Sequence, residues 1–287
     1  MSQPPPVDPS QERAVALREG SRIMKTLVTG GTGHLGRDLV ALLQAAGHQV
    51  RVLTRRPGDD PTVEWVRGDL ATGEGIRDAV SGAATIVHAA TLSPAAIRGY
   101  LLPTDLFRSP SEVDIDGTRR LIEAAAGAGT EHFLHVSIVG VDQSRLPYSQ
   151  VKFDAEKVVR DSQVPWTIAR ATAFHWLLER MMNKISRLPI WLLPTDLAMQ
   201  PVDSREFAEF IVASLDEGPS GYQEDFGGPE IGTFGGFASQ YREARGLNRR
   251  IVRIPVPARA RREMEAMTSP SRRRGRTTWK SWLTCRS

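Results

Sequence analysis

The 287-residue chain is 40% hydrophobic and 24% charged, which is ordinary for a folded globular protein and excludes a collagenous, coiled-coil or wholly disordered chain. Its single cysteine, Cys285, rules out an intramolecular disulfide and a cysteine-based metal cluster and fits a reducing cytoplasm, and no apolar run reaches the length of a membrane span or signal peptide. The net charge of +4 is uneven, because ten Lys/Arg stand against two Glu from Ile251 onward. There Arg272, Arg273, Arg274 and Arg276 offer phosphate contacts, but a short charge run reads first as a solvated segment. Neither a nucleic-acid nor a membrane partner is expected, and oligomeric state is left open.

Residues 1–22, with Pro4 to Pro6 and Pro9, lack periodicity and are expected to form an extension. From Met24 onward apolar β-branched runs alternate with segments of helical period. Strands are predicted at Lys25–Thr29, Gln49–Thr54, Val63–Val66, Thr85–His88, His132–Val136 and Trp166–Ala169. Helices are predicted near Leu35–Ala46, Glu74–Val80, Glu112–Ala126 and Ser149–Ser162. This alternation predicts an α/β fold of Rossmann type, a doubly wound parallel sheet over residues 23–170 with ligands at the strands' carboxyl ends. After Arg170 the rhythm changes. Helices are expected at Ala173–Ile185, Ser204–Leu215 and Gly232–Arg245, with an irregular stretch at Arg187–Ala198, so residues 171–287 read as a smaller C-terminal substrate cap.

Three glycines, Gly30, Gly33 and Gly36, recur at three-residue spacing between the first strand and the first helix. Glycine allows the tight turn, lets backbone N–H groups approach a pyrophosphate and permits close helix–strand packing. The helix N-terminus adds a favourable field for negative charge. The second strand ends Leu53-Thr54-Arg55-Arg56, with no acid for a ribose and two guanidiniums for a 2′-phosphate. That favours NADP(H), with NAD possible, unless both arginines are solvated turn residues.

The run Thr29-Gly-Gly-Thr-Gly-His-Leu-Gly36 resembles the glycine-rich loop of the extended and atypical short-chain dehydrogenase/reductase superfamily, and in particular its NmrA-like branch. The resemblance covers roughly Met24 to Ser287. Gly68-Asp-Leu70 is similar to the family's acidic turn near the adenine, and His88-Ala-Ala90 to its small-residue segment beside the cofactor. Pro201-Val-Asp203 and Phe226-Gly-Gly-Pro229 are similar to later landmarks. By resemblance Gly30, Thr32, Gly33, His34, Leu35, Gly36, Arg55, Arg56, Asp69, Leu70, Ala89, Ala90 and Lys152 would bind the cofactor.

Tyr148 and Lys152 have the Tyr-x-x-x-Lys spacing, which places both side chains on one helical face. A nearby ammonium lowers a phenol's pKa and lets the tyrosine exchange a proton with a carbonyl or alcohol while hydride moves. In the family the resemblance points to, this pair is the acid/base couple and the lysine also holds the nicotinamide ribose. The alternative is that Tyr148 only opens a helix after Pro147 while Lys152 binds without chemistry. The segment between Ser137 and Tyr148 is shorter than is usual in the family, which makes Ser137 a weaker third member. His132 and His135 read as packed strand residues, and His175 as either pocket-facing or part of a cap helix; no metal site is expected. The resemblance implies an NAD(P)H-dependent oxidoreductase for a small-molecule substrate, a carbonyl, quinone or enone. A non-catalytic NADP(H)-sensing protein and a nucleotide-sugar epimerase or dehydratase are the alternatives.

Overall fold

A computed structural model describes residues 24–99, 105 and 108–285, so the expected extension over 1–22 lies outside the described residues. The first strand, β1 (Lys25–Thr29), buries four of its five residues, as a β-branched apolar run does inside a parallel sheet covered on both faces. Around it lie β2 (Gln49–Thr54), β3 (Glu64–Arg67), β4 (Thr85–His88), β5 (His132–Ile138) and β6 (Trp166–Ala171). With a two-residue strand at Gly221–Tyr222 they form one seven-stranded sheet, ordered β3-β2-β1-β4-β5-β6 and then Gly221–Tyr222. Every pairing in it is parallel. The chain runs outward from β1 to β3 and then returns to β4 on the other side of β1. This makes the β1/β4 boundary the switch point where parallel sheets bind ligands.

Each face of the sheet has its own core. On one side α1 (His34–Ala45) and α7 (Ser204–Leu215) bring Leu39, Leu43, Phe207 and Ile211 onto Val28, Val52 and Leu134. Ser204 Oγ donates to Asp38 Oδ2 at 2.8 Å and ties these two helices together. On the other side α2 (Ile76–Val80), α4 (Thr118–Ala128) and α5 (Pro147–Arg160) pack Ile76, Leu121 and Val159 onto Leu27, Ile86 and Phe133. A π-helical turn, Glu112–Gly117, leads into α4, and a short α3 (Pro94–Arg98) follows β4. Burying each such Leu or Ile contributes about 1.5–3 kcal/mol, which makes these two layers the main stabilising element.

The sequence division at residue 170 falls inside β6, and both α7 and the strand at Gly221–Tyr222 belong to the sheet's own layers. A third apolar cluster gathers α6 (His175–Ile185), β7 (Ile190–Leu193), α8 (Phe234–Ala244) and α10 (Trp279–Thr284) around Trp191, Tyr241, Trp279 and Trp282. The stretch expected to be irregular therefore contains β7, which pairs in parallel with β11 (Arg250–Arg253), and β8 (Ala198–Met199), which pairs with β10 (Gly232–Thr233). With Gly221–Tyr222 as β9, the strands number through in chain order. The short β7 lies between Pro189 and Pro194 and has its partner 60 residues away, so no local periodicity marks it.

The arginines of the basic tail are exposed, as a solvated segment's would be, but the backbone that carries them is fastened to the sheet region. Gly227 N donates to Arg272 O at 3.0 Å and Gly275 N to Gly227 O at 2.9 Å, fastening the segment along Phe226–Gly227. Arg272 and Arg274 pair with Glu224, and Arg276 pairs with Glu206 and Glu209. Acids from the 204–224 region thus neutralise much of the C-terminal charge. A helix α9 (Ala258–Ala266) precedes this wrap and anchors through Glu263, which accepts from Arg145 N at 2.5 Å.

Candidate dinucleotide and catalytic site

The three glycines of the loop are required for different reasons. Gly30 has φ +75°, and a Cβ there would lie 2.7–2.8 Å from the backbone of Ala89 and Ala90. At Gly36 a Cβ would lie 2.0 Å from Gly30 O, so this glycine lets α1 pack onto its own loop. Gly33 has ordinary extended backbone, φ −75° and ψ 176°, and a Cβ there would meet only Gly30 O at 3.2 Å. Its backbone does not demand glycine, and the one tight contact asks Gly30 O to give by only a few tenths of an ångström; the rest of a side chain would meet open space.

That N-terminus is built for an anion. Gly33 caps α1 without a side-chain hydrogen bond, and no acid stands in the first turn. The leading N–H groups and the positive end of the helix dipole are left for a ligand. Thr32 and Gly33 are exposed, Leu35 is buried under the helix, and the His34 ring stacks on Trp176 of α6 with centroids 4.3 Å apart. The residues present fit a dinucleotide pyrophosphate.

At the end of β2, Arg55 and Arg56 are both exposed, and neither guanidinium has a side-chain partner among the described residues. Asp69 accepts from Ala71 N at 2.9 Å and so shapes the turn after β3. Leu70 is buried against Gly117. These residues, with Ala89 and Ala90, lie along the carboxyl ends of β2, β3 and β4.

Tyr148 and Lys152 open α5, where Pro147 supplies a first helical residue that needs no N–H partner. Both side chains converge on Asp114, a carboxylate in the π-helical turn that is 1% exposed. Lys152 Nζ lies 3.4 Å from Asp114 Oδ1 and donates to Val136 O at 3.0 Å. Thr91 Oγ1 donates to Asp114 Oδ1 at 2.7 Å, so its own oxygen accepts from the Tyr148 hydroxyl at 2.8 Å. Leu92 N donates to the other carboxylate oxygen at 2.9 Å.

The lowering of the phenol expected from Lys152 is outweighed. Asp114 takes the ammonium, and burial together with that carboxylate pushes the Tyr148 hydroxyl above the usual phenol range. Ser137 is buried at the end of β5, but its hydroxyl has no hydrogen-bond partner among the described residues and does not join the Tyr148–Asp114–Lys152 cluster.

His88 connects this cluster to the loop. Thr118 Oγ1 donates to Asp114 O at 2.5 Å, so it accepts from His88 Nε2 at 2.8 Å, and His88 Nδ1 then accepts from Thr29 Oγ1 at 2.6 Å. This chain fixes one tautomer of a histidine that burial depresses to about 3. Of the other histidines, His132 bonds Thr167 and His135 is fully buried. His175 packs against both Trp279 and Trp282 in the third core rather than in a pocket.

Asp114 and Thr91 were not singled out by the sequence reading. Asp114 did leave a signal, since it is in phase with Thr118, Leu121, Ile122 and Ala125 on the buried side of the helix. A carboxylate on an apolar stripe needs a cationic or N–H partner. Thr91 left none, because it lies in the irregular segment between β4 and α3.

A parallel sheet with an open glycine cradle at its switch point and a Tyr-Lys pair beside it defines a dinucleotide-binding protein of oxidoreductase type. The chain belongs to the NAD(P)H-binding family, which it matches over residues 30–217. It is 30% identical over 200 residues to the photosystem II assembly factor Ycf39 of Trieres chinensis, covering 67% of this chain and 60% of that protein. It is also 32% identical over 215 residues to a (4-alkanoyl-5-oxo-2,5-dihydrofuran-3-yl)methyl phosphate reductase of Streptomyces griseus, covering 71% of this chain and 68% of the reductase. The fold matches that of a short-chain dehydrogenase/reductase superfamily protein from Agrobacterium tumefaciens solved with bound NAD. That match has a TM-score of 0.68 at 22% identity and covers 91% and 95% of the two chains. No helix among the described residues is long and apolar enough to cross a membrane.

Proposed function

We propose that the protein is an NADP(H)-dependent oxidoreductase that reduces a small carbonyl, quinone or enone-like compound, with Tyr148 as the acid. The observation that carries this reading is the path Tyr148 hydroxyl–Thr91–Asp114, which shares its carboxylate with Lys152. A bound nicotinamide supplies or accepts the hydride. A phenol is protonated at neutral pH, so Tyr148 has a proton to give to an oxygen that gains charge as hydride arrives. Burial and Asp114 make it a weaker acid than a free phenol, and the Lys152 ammonium beside the same oxygen is what offsets this. Lys152 is fixed between Val136 O and Asp114, where it offers an ammonium to a ribose hydroxyl and to the same developing charge. Asp114 and Thr91 position both groups.

Cofactor choice follows from the two unpartnered guanidiniums of Arg55 and Arg56, with no acid at the end of β2. They favour a 2′-phosphate, so NADPH binds more tightly than NADH. The Streptomyces griseus relative, named as a reductase of an enone-like dihydrofuranone phosphate, supports the reductase reading.

The test is Tyr148→Phe assayed with a panel of quinones, aldehydes, ketones and enones, alongside titrations with NADPH and NADH. The variant keeps its fold and NADPH affinity while turnover of an active substrate falls roughly 10²–10⁴-fold. A wild-type protein that binds NADPH tightly yet turns over no compound of the panel favours the sensor. An active substrate indifferent to the substitution removes the acid role from Tyr148.

A further inference from the structure

We infer that the outer face of the β7–β11 ribbon docks the protein onto an anionic lipid surface. The ribbon alternates cleanly. Trp191 and Leu193 point into the third core, while Ile190 and Leu192 point out and are 49% and 61% exposed. In the parallel register Val252 stands beside Leu192 and Arg250 beside Ile190, so both share the outer face. Leu188, just before β7, is 51% exposed, and Ile254, just after β11, is 41% exposed. Four of the six large apolar residues exposed among the described residues thus crowd onto one two-stranded ribbon. Scattered singly they would need no explanation, but gathered on one face they do.

The charge beside them is predominantly positive. From Arg245 to Arg262 the chain has seven arginines and no acidic residue. Arg187 and Arg250 are exposed at the ribbon and have no side-chain partner among the described residues, while Arg253 pairs with Asp196 across its end. Aliphatic side chains inserted beside two free guanidiniums suit a surface that is apolar below and negatively charged above, as an anionic bilayer is. A second copy of the same ribbon would bring Arg187 and Arg250 against their own kind. Nucleic acid is served poorly by Ile, Leu and Val, because single strands are held on aromatic platforms and base edges by amides and guanidiniums. The expectation of no membrane partner rested on the lack of a spanning run, and a ribbon lying on a surface needs none.

The full-length chain is co-sedimented with vesicles of phosphatidylcholine alone and of phosphatidylcholine mixed with phosphatidylglycerol, at low and high salt. Binding to the mixed vesicles is expected to exceed binding to the neutral ones by roughly tenfold or more and to weaken with salt. Ile190→Thr with Leu192→Thr, which keeps β propensity, and Arg187→Gln with Arg250→Gln should each reduce it several-fold with unchanged circular dichroism. Should the strand pair fold poorly, Leu188→Gln with Ile254→Gln alters the same face from outside the strands. Equal sedimentation with both vesicle types, or binding indifferent to these variants, overturns the assignment. So does preferential binding to a DNA duplex with none to vesicles.

Discussion

The glycine loop and the C-terminal wrap are both indispensable, but for different reasons. In the loop, Gly30 and Gly36 make the turn possible, and at Gly33 the space is left for something that is not protein. In the wrap every contact is protein against protein. Trp279 is fully buried, donates from Nε1 to Phe237 O at 3.1 Å and stacks on Trp282 with centroids 5.4 Å apart. One region leaves a cradle open and the other is closed by packing, so a substitution in each should fail differently.

The sharpest contrast uses Gly33→Val. Its backbone already lies in the extended region that valine prefers, so the fold and melting temperature stay near wild type. Isothermal titration with NADPH should nonetheless show binding lost, because the branched side chain fills the cradle. A variant that binds unchanged would place the pyrophosphate elsewhere. Trp279→Ala is the opposite case, with an expected loss of about 3–5 kcal/mol in urea unfolding and retained NADPH affinity in the fraction that stays folded.

Acid gives the smallest effect and acts on the wrap through His175, which burial depresses to about 4. The unfolded chain binds a proton near pH 6.5 and the folded one does not, so stability is full above that pH and falls as the pH drops toward 4. Between pH 7 and 4.5 this one group costs roughly 2 kcal/mol. His175→Phe keeps a ring against the two tryptophans and should flatten the urea-unfolding pH dependence by about that amount. An unaltered profile would mean His175 does not titrate there.

The same contrast in range decides what is legible in the sequence. The glycine spacing, the strands from Lys25 to Ala171 and the Tyr148–Lys152 pair are local patterns, and each lies where its period or spacing put it. The partners that give the pair its chemistry are not local. Asp114 reaches Lys152 across 38 residues and Thr91 reaches Tyr148 across 57, so a sequence window sees an acid in a helix and a threonine in a loop. The arginines after Ile251 looked solvated for the same reason, since Glu206, Glu209 and Glu224 lie about 50–70 positions away. Parallel strand β7 is the extreme case, unreadable without β11.

Those separations also order the events of folding. Strands β1 and β2 meet across a helix and a turn, Lys25 against Gln49, and they enclose little chain when they pair. The wrap closes much longer loops, 71 residues from Glu206 to Thr277 and 42 from Phe237 to Trp279. Loop-closure entropy must be met before such contacts stabilise anything, and a docking surface for Trp279 exists only once α6 and α8 are already in place. By this argument the β1–β2 unit with its glycine loop is expected to form early, and Trp279 and Trp282 to seal the third core only after α6 and α8 have met.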